Sequence, residues 1–254
     1  MLAVRSWTGY EMTTQLQRSL RFVWPSSAGH LYREQKKLVD LGWATVVDEP
    51  SGARTRKRYS ITAEGEQALR VWLTTEPQEP HFEIEGMLRL FHGDHGTVED
   101  LVAAMESTAT SATAMRDELV GYAQEYVEEG GPLSMLEQGV GGSEGRIEFR
   151  GREMFPERLH VIALVIDGTT RMLDTLASFA AETSTEARSW GSTTDPSIAA
   201  STRERLESIR VRYETPCPAA GCWLARCAES LIRLANDPRD VDAADSGTRG
   251  LSLR

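Results

Sequence analysis

Pro25-Ser26-Ser27-Ala28-Gly29-His30-Leu31-Tyr32-Arg33-Glu34-Gln35-Lys36-Lys37-Leu38-Val39-Asp40-Leu41-Gly42 is the stretch whose reading decides the fold. Pro25-Ser26-Ser27 supplies a turn and a hydroxyl cap, and Gly42 ends the helix that follows. At 100° per residue, Leu31, Leu38 and Leu41 fall on one side. Gly29, His30, Tyr32, Arg33, Lys36 and Lys37 are left on the flanks and the opposite face. This donor-rich face, with Ser26, Ser27, Gly29 and His30 in its first turn, is suited to base edges and phosphates.

Upstream, Thr8 caps a helix over about residues 9–20, in which Met12, Leu16 and Leu20 recur every four residues and Arg18 lies near the C-terminal end. Phe22-Val23-Trp24 forms an apolar corner between the two helices. Downstream, Trp43-Ala44-Thr45-Val46-Val47 and Lys57-Arg58-Tyr59-Ser60-Ile61 are β-prone runs joined by Glu49-Pro50-Ser51-Gly52-Ala53. They predict a hairpin whose returning side carries Arg54, Arg56, Lys57 and Arg58. Charge on a ribbon edge can serve only to prevent aggregation. Four cations beside a donor-rich helix point instead to phosphate binding. A third helix is expected after Thr62, with Ala68, Leu69 and Leu73 as its apolar contacts.

The charge is segregated along the chain. Residues 1–73 hold 11 Lys/Arg against 7 Asp/Glu, a balance of +4, whereas the remaining residues hold 17 against 31, or −14, within a net charge of −10. An acidic body repels phosphate and leaves the basic head as the surface that gains from counterion release.

Pro77 and Pro80 mark a boundary, after which residues 81–91 read as a short amphipathic helix ending at His92-Gly93. Two long stripes follow. Val98, Leu101, Met105, Thr108, Ala112, Met115, Leu119, Tyr122 and Tyr126 are spaced alternately by three and four. Leu159, Ile162, Ile166, Thr169, Leu173, Leu176, Ala180, Thr183, Ala187 and Trp190 repeat the pattern. Helices of about 45 Å with stripes this narrow need each other and, on this reading, a second copy of the chain. Leu101, Met105, Met115, Leu119, Leu159, Ile162, Ile166, Leu173 and Leu176 are the expected dimerisation residues. An intramolecular helix hairpin in a monomer is the alternative. A symmetric dimer would place two heads on successive major grooves, about 34 to 36 Å apart, over a near-palindromic site.

Other motifs carry less. The glycines between Gly139 and Gly145 lack the Gly-Lys-Ser/Thr of a phosphate loop and read as a mobile loop or hairpin tip. His92, Asp94 and His95 read as a polar loop rather than a metal site. Cys217, Cys222 and Cys227 lack close Cys-x-x-Cys pairing and a nearby histidine, and their odd number fits a reducing compartment. No metal or cofactor is expected. Nor is catalysis, since paired carboxylates and a nucleophile with its base are missing at usable spacing. No run suits a bilayer or an export signal, so the chain reads as cytoplasmic. Residues 191–200 form a Ser/Thr-rich linker, residues 202–213 a charged helix and residues 221–234 a more apolar one, with a disordered tail from Asn236.

The head resembles the winged helix of PadR-type transcriptional regulators. The elements that carry the likeness are Thr8-Gly9-Tyr10-Glu11, Trp24, Gly29-His30-Leu31-Tyr32, Leu41-Gly42, Arg56-Lys57-Arg58-Tyr59-Ser60-Ile61-Thr62 and Glu64-Gly65. The resemblance covers about 65 residues and is specific as a set. It also extends weakly to residues 81–91 and the loop before Val98. It implies that Tyr32 and its basic neighbours, with Arg56, Lys57 and Arg58, contact DNA, and that the long helices dimerise. It further implies a flat aromatic effector, for which Tyr122, Tyr126, Phe179 and Trp190 are candidate lining residues. Family members begin with a further apolar helix whose tail Leu2-Ala3-Val4 resembles, so the encoded start is expected upstream of Met1. The fold class expected is mainly α with a small β-hairpin: a winged helix-turn-helix over 1–76, an all-α dimerisation domain over 81–190, and extra helices and tail over 191–254. The function expected is that of a homodimeric repressor on double-stranded DNA. The alternative is a non-DNA-binding module or thiol redox sensor that keeps the winged shape.

Overall fold

A computed structural model of the chain describes residues 1–52, 54–139 and 147–214. It forms two compact units, Met1–Thr193 and Thr194–Arg254. The head and the helical body fall together in the first.

The head begins with a two-residue strand β1 (Trp7–Thr8) and helix α1 (Gly9–Ser19). Thr8 and Glu11 make a reciprocal cap: the Thr8 N–H donates to Glu11 Oε2 at 2.8 Å, and the Glu11 N–H donates to Thr8 Oγ1 at 3.3 Å. Helix α2 (Ala28–Asp40) is capped by Ser27, whose Oγ accepts from the His30 N–H at 3.2 Å. Strands β2 (Ala44–Ser51) and β3 (Arg54–Ile61) then pair antiparallel from Ala44↔Ile61 to Ser51↔Arg54. The wing is therefore longer than the sequence suggested, because Glu49 to Ser51, expected in the connector, remain paired. β1 adds to β3 through Trp7↔Tyr59 and Thr8↔Arg58, giving the order β1-β3-β2. Helix α3 (Ala63–Leu73) starts at its Thr62 cap.

Leu2, Trp7, Met12 and Ala44 form the buried centre of the head, with Leu16, Leu38, Val39, Tyr59 and Ile61 packed against it. Phe155, from the body, completes this core, its ring centroid 6.2 Å from that of Trp7. Three expectations need correction. Leu41 is exposed, and the most buried residue of α2 is the polar Gln35, at 3% exposure. Leu69 and Leu73 of α3 are likewise exposed, since α3 makes its tight approach through Gly65, where a Cβ would lie 2.1 Å from the Trp43 carbonyl oxygen. The third concerns residues 81–91, where helix α4 begins only at Glu85 (Glu85–Phe91), with Gly86 lying directly against Thr108.

The body is built on two long helices, α5 (Val98–Val127) and α7 (Leu159–Ala187), which pack together along the anticipated stripes. They run antiparallel, as Arg116 Nη1 to Asp174 Oδ1 at 2.7 Å and the Arg188–Glu106 pair require. Leu101 and Met105 are buried with Ala180 and Ala187, and Trp190 caps that cluster. Short α6 (Pro132–Glu137) and the strands β4 (Ile147–Phe149) and β5 (Arg152–Met154) occupy the connection. Arg150 and Gly151, with φ of 52° and 68°, form the two-residue turn between β4 and β5, a geometry that matches strand twist. The second unit contributes α8 (Ala199–Glu214), over the charged helix anticipated at 202–213. Among the described residues, no helix is long and apolar enough to cross a membrane. The three cysteines lie outside the described residues.

Candidate nucleic-acid interface

Gln35 fixes α2 against α1. Its Nε2 donates to the Gly9 carbonyl at 3.2 Å and to Thr13 Oγ1 at 3.1 Å, so two helices are locked by one buried amide. The opposite side of α2 is open. Ser27, Gly29, His30, Tyr32, Arg33, Lys36 and Lys37 are all exposed, whereas Ser26 is half-buried. Ser27 uses its hydroxyl as the cap, and a Cβ on Gly29 would meet nothing nearer than Arg33 Nη1 at 3.9 Å, so a groove wall can approach this turn closely. Glu34 lies 3.9 Å from His30 Nε2 and 4.0 Å from Lys37 Nζ, on the flank of the basic row.

Beside this helix is a cleft of about 510 Å³. Thr8, Gly9, Tyr10 and Glu11 at the start of α1 form one wall, Tyr32 and Gln35 another, and Arg56, Lys57 and Tyr59 of the wing the third. A helix N-terminus facing two cations across a cleft is a favourable seat for a backbone phosphate. Tyr10, 73% exposed, also lines this cleft, a place that Gly-Tyr-Glu taken only as a helix opening does not give it. Its position two residues after a cap was the available signal.

The wing cations are less free than the sequence suggested. Arg56 Nε lies 3.0 Å from Glu49 Oε2, and Lys57 Nζ lies 3.2 Å from Asp48 Oδ1. Arg58 turns inward: its Nε and Nη2 reach Glu49 at 3.2 and 3.0 Å, and its Nη1 donates to the Ser6 carbonyl at 3.4 Å and stands 3.7 Å from Glu11. It is half-buried and braces β1 to the wing, a different place from the open phosphate contact expected of it. Arg54 belongs to β3, but its side chain lies outside the described residues. The Arg58 hydrogen bond, with the charges of Arg56 and Arg58 adding to it against the upward push of desolvation, holds the Glu49 carboxyl below the usual range. Glu11 is also held low: burial pushes it up, but the Thr8 hydrogen bonds and the charges of Arg5 and Arg58 outweigh that.

The other candidate sites separate. Leu101, Met105, Leu119 and Leu159 are buried within the single chain, and Met115, Ile162, Ile166, Leu173 and Leu176 are half-buried beside them. A different stripe of α7, Val161, Leu164, Val165 and Met172, is exposed. The four aromatic candidates do not line one site. Tyr122 and Tyr126 lie toward the C-terminal end of α5, whereas Trp190 packs on Leu101 and Met105 near its start, about 30 Å away at 1.5 Å per residue. Phe179 is half-buried on α7. The Tyr122 hydroxyl donates to Glu118 at 2.8 Å, and the Arg18 guanidinium carbon lies 5.8 Å from its ring. Burial, then Glu118, raises the Tyr122 pKa. Glu118 also pairs with Arg21, tying the end of the head's first helix to α5.

Comparison with known proteins agrees with this geometry. The family model described as the transcriptional regulator PadR-like family matches residues 1–71. The negative transcriptional regulator PadR of Bacillus subtilis (strain 168) is 33% identical over 67 residues, which is 26% of this chain and 37% of that protein. The sequence match thus spans little more than a third of the curated relative's length. The crystal structure of Bacillus subtilis PadR in complex with operator DNA superposes with a TM-score of 0.54 at 19% identity, covering 73% of this chain and 92% of that one. The structure of the same regulator in complex with p-coumaric acid gives a TM-score of 0.50 at 20% identity, covering 74% and 94%. At these identities the structural likeness is one of fold. With its motifs, the matching family model and the shared winged-helix architecture, the head of the chain, residues 1–71, is similar to that of PadR-like transcriptional regulators.

Proposed function

We propose that the protein binds double-stranded DNA sequence-specifically, as a homodimer on a near-palindromic operator, and acts as a repressor in the cytoplasm. The observation that carries this reading is the exposed polar face of α2 beside the cleft bordered by Arg56, Lys57 and the start of α1. Gly29, His30 and Arg33 enter the major groove, and Lys36 and Lys37 approach phosphates. The cleft takes a backbone phosphate between the α1 N-terminus and the wing. Ser27 and Gln35 position these groups without contacting DNA.

The exposed stripe Val161–Leu164–Val165–Met172 supports the dimer, because the seam between α5 and α7 is already used within one chain. The relative's p-coumaric acid complex makes a small aromatic effector a reasonable expectation. Such a compound acts only by binding one arrangement of the two heads better than another. The half-buried Tyr122, between Arg18 and Glu118 where head meets body, is the aromatic candidate best placed to sense that arrangement.

Duplex DNA from upstream of the protein's own coding sequence is the direct test, with anisotropy read from 50 to 200 mM salt. Affinity is expected to fall at least tenfold over that range. Absent or salt-indifferent binding would remove the DNA-binding reading.

A further inference from the structure

Gln35 has one polar atom that the packing of α1 on α2 does not use. Its Nε2 donates both of its hydrogens, to the Gly9 carbonyl and to Thr13 Oγ1. Among the described residues, its Oε1 finds no hydrogen-bond partner, although the side chain is only 3% exposed. An unpaired buried acceptor is costly and calls for a donor. Gln35 lines the cleft between α1 and the wing, and Gly9 shows where the oxygen lies. A Cβ on Gly9 would stand 2.8 Å from Oε1, 3.3 Å from Tyr32 Cε1 and 3.6 Å from Tyr59 Cε2. The bare face of Gly9 thus leaves an acceptor beside the edges of two tyrosine rings, in a cleft that all four residues line.

The rest of the cleft is polarised. Tyr10 and Glu11 complete the side formed by the start of α1, adding a third ring and a carboxylate. Lys57 shares a face of β3 with Tyr59 and stands about 7 Å nearer the tip of the wing. Its tie to Asp48 at 3.2 Å is an exposed ion pair that an incoming anion can replace. Acceptors and aromatic rings therefore occupy one end and a cation the other. A DNA phosphate answers only the second end: it brings no proton to Gln35 Oε1 and makes no use of three tyrosine rings. A flat ring with an N–H donor on one edge and an anion at the far end answers both.

We propose that this cleft binds a purine nucleoside monophosphate whose base carries an exocyclic amine. The amine donates to Gln35 Oε1, the base lies against the tyrosines, and the phosphate meets Lys57 with Arg56 beside it. Tyr32, 46% exposed, is the cover that turns aside to admit the amine. The volume of about 510 Å³ falls within the roughly 300–1,000 Å³ usual for small-ligand sites. The nucleotide claims the cations that a DNA phosphate would use and moves a side chain of the α2 face, so the two ligands exclude each other. That exclusion rests on the DNA-binding reading given above, whereas nucleotide binding itself does not.

The test is calorimetric titration of the full chain, without DNA, at 50 mM salt. Adenosine and guanosine monophosphates are compared with their counterparts lacking the exocyclic amine, purine riboside monophosphate and inosine monophosphate, and with inorganic phosphate and p-coumaric acid. The better of the two amino nucleotides should bind at least tenfold more tightly than phosphate and lose about tenfold or more when its amine is removed. Lys57→Ala and Tyr10→Ala, both at exposed positions, should each weaken it at least fivefold without moving the thermal midpoint. Binding no tighter than that of phosphate, indifference to the amine, or affinity that survives both substitutions overturns the inference. Tighter binding of p-coumaric acid, lost in Lys57→Ala, overturns it in favour of a phenolic acid. Saturating nucleotide should then weaken the binding of duplex DNA, read by anisotropy, at least fivefold. Nucleotide binding by a chain that binds no duplex supports the cleft assignment and sinks only the DNA reading. Duplex binding without nucleotide binding does the reverse, and simultaneous binding of both overturns the exclusion.

Discussion

Arg58 and Glu49 face each other across the wing, with Nε and Nη2 of the guanidinium 3.2 and 3.0 Å from one carboxylate oxygen. The same oxygen takes Arg56 Nε at 3.0 Å. One acid thus restrains two of the cations that give the wing its charge, and the three arginines and lysine of the hairpin are not equivalent. Lys57→Ala should weaken DNA binding several-fold and reduce the salt slope by about one, the signature of one lost phosphate contact. Arg58→Ala should instead lower the thermal midpoint, since it strips the brace between β1 and the wing. Glu49→Ala should tighten non-specific DNA binding at low salt while reducing stability. Anisotropy titrations at several salt concentrations, paired with thermal melts, distinguish the three. A Glu49→Ala protein that bound DNA more weakly would show that the acid serves to position Arg56 rather than to mask it.

Two glycines predict opposite outcomes for the same substitution. Gly65 is buried at the start of α3, and a Cβ there would lie 2.1 Å from the Trp43 carbonyl oxygen. That neighbour is backbone and cannot swing away, so Gly65→Ala should cost upwards of about 2 kcal/mol. Gly121, inside α5, has open space where its Cβ would be. There alanine should stabilise by roughly 0.5–1 kcal/mol through helix propensity. Denaturant titration of both variants checks the pair. Equal effects would mean that the α3–β2 junction is looser than its geometry indicates.

The readable features of the sequence were those with local causes. Thr8, Thr62 and Thr97 cap helices where the sequence placed helix starts, and the stripes on α5 and α7 survive as buried or half-buried positions. Capping and periodicity act within a few residues, so they leave a mark in the string. What escaped was decided by distant partners. The burial of Gln35 has no local signal, because its acceptors, the Gly9 carbonyl and Thr13 hydroxyl, lie more than twenty residues away. Arg58 looked like its neighbours until the opposite strand supplied Glu49. Phe155 gave no sign of packing on Trp7, and the β4–β5 hairpin was too short to signal against its loop.

Leu164, at 71% exposure, is the most open of the apolar stripe on α7. If that stripe joins two copies, Leu164→Glu with Met172→Glu should convert a dimer to a monomer in sedimentation runs. The isolated chain should remain folded, because exposed substitutions away from special features usually change stability by no more than about 0.5 kcal/mol. Operator affinity should fall at least tenfold with the loss of the second head. An unchanged sedimentation coefficient would move the subunit contact to another face.

Glu11 makes stability depend on pH in one direction. Its folded-state pKa is held below that of an ordinary glutamate despite the upward push of burial, through the Thr8 N–H and hydroxyl and the charges of Arg5 and Arg58. A carboxyl with a depressed folded pKa contributes stability that is fully present above the unfolded value, near 4.3, and is lost as the pH falls through the folded one. Asp100 acts in the same sense through the Thr97 backbone and side-chain hydrogen bonds at the start of α5. The thermal midpoint should therefore decline as the pH is lowered from about 6 to about 3. Glu11→Gln keeps an acceptor for Thr8 but removes the charge that faces Arg5 and Arg58. It should melt below the parent at neutral pH, and the gap should close toward the acid end as the parent's own carboxylate protonates. Melts of both proteins across that range measure it, and a gap independent of pH would assign the effect to packing rather than to the charge.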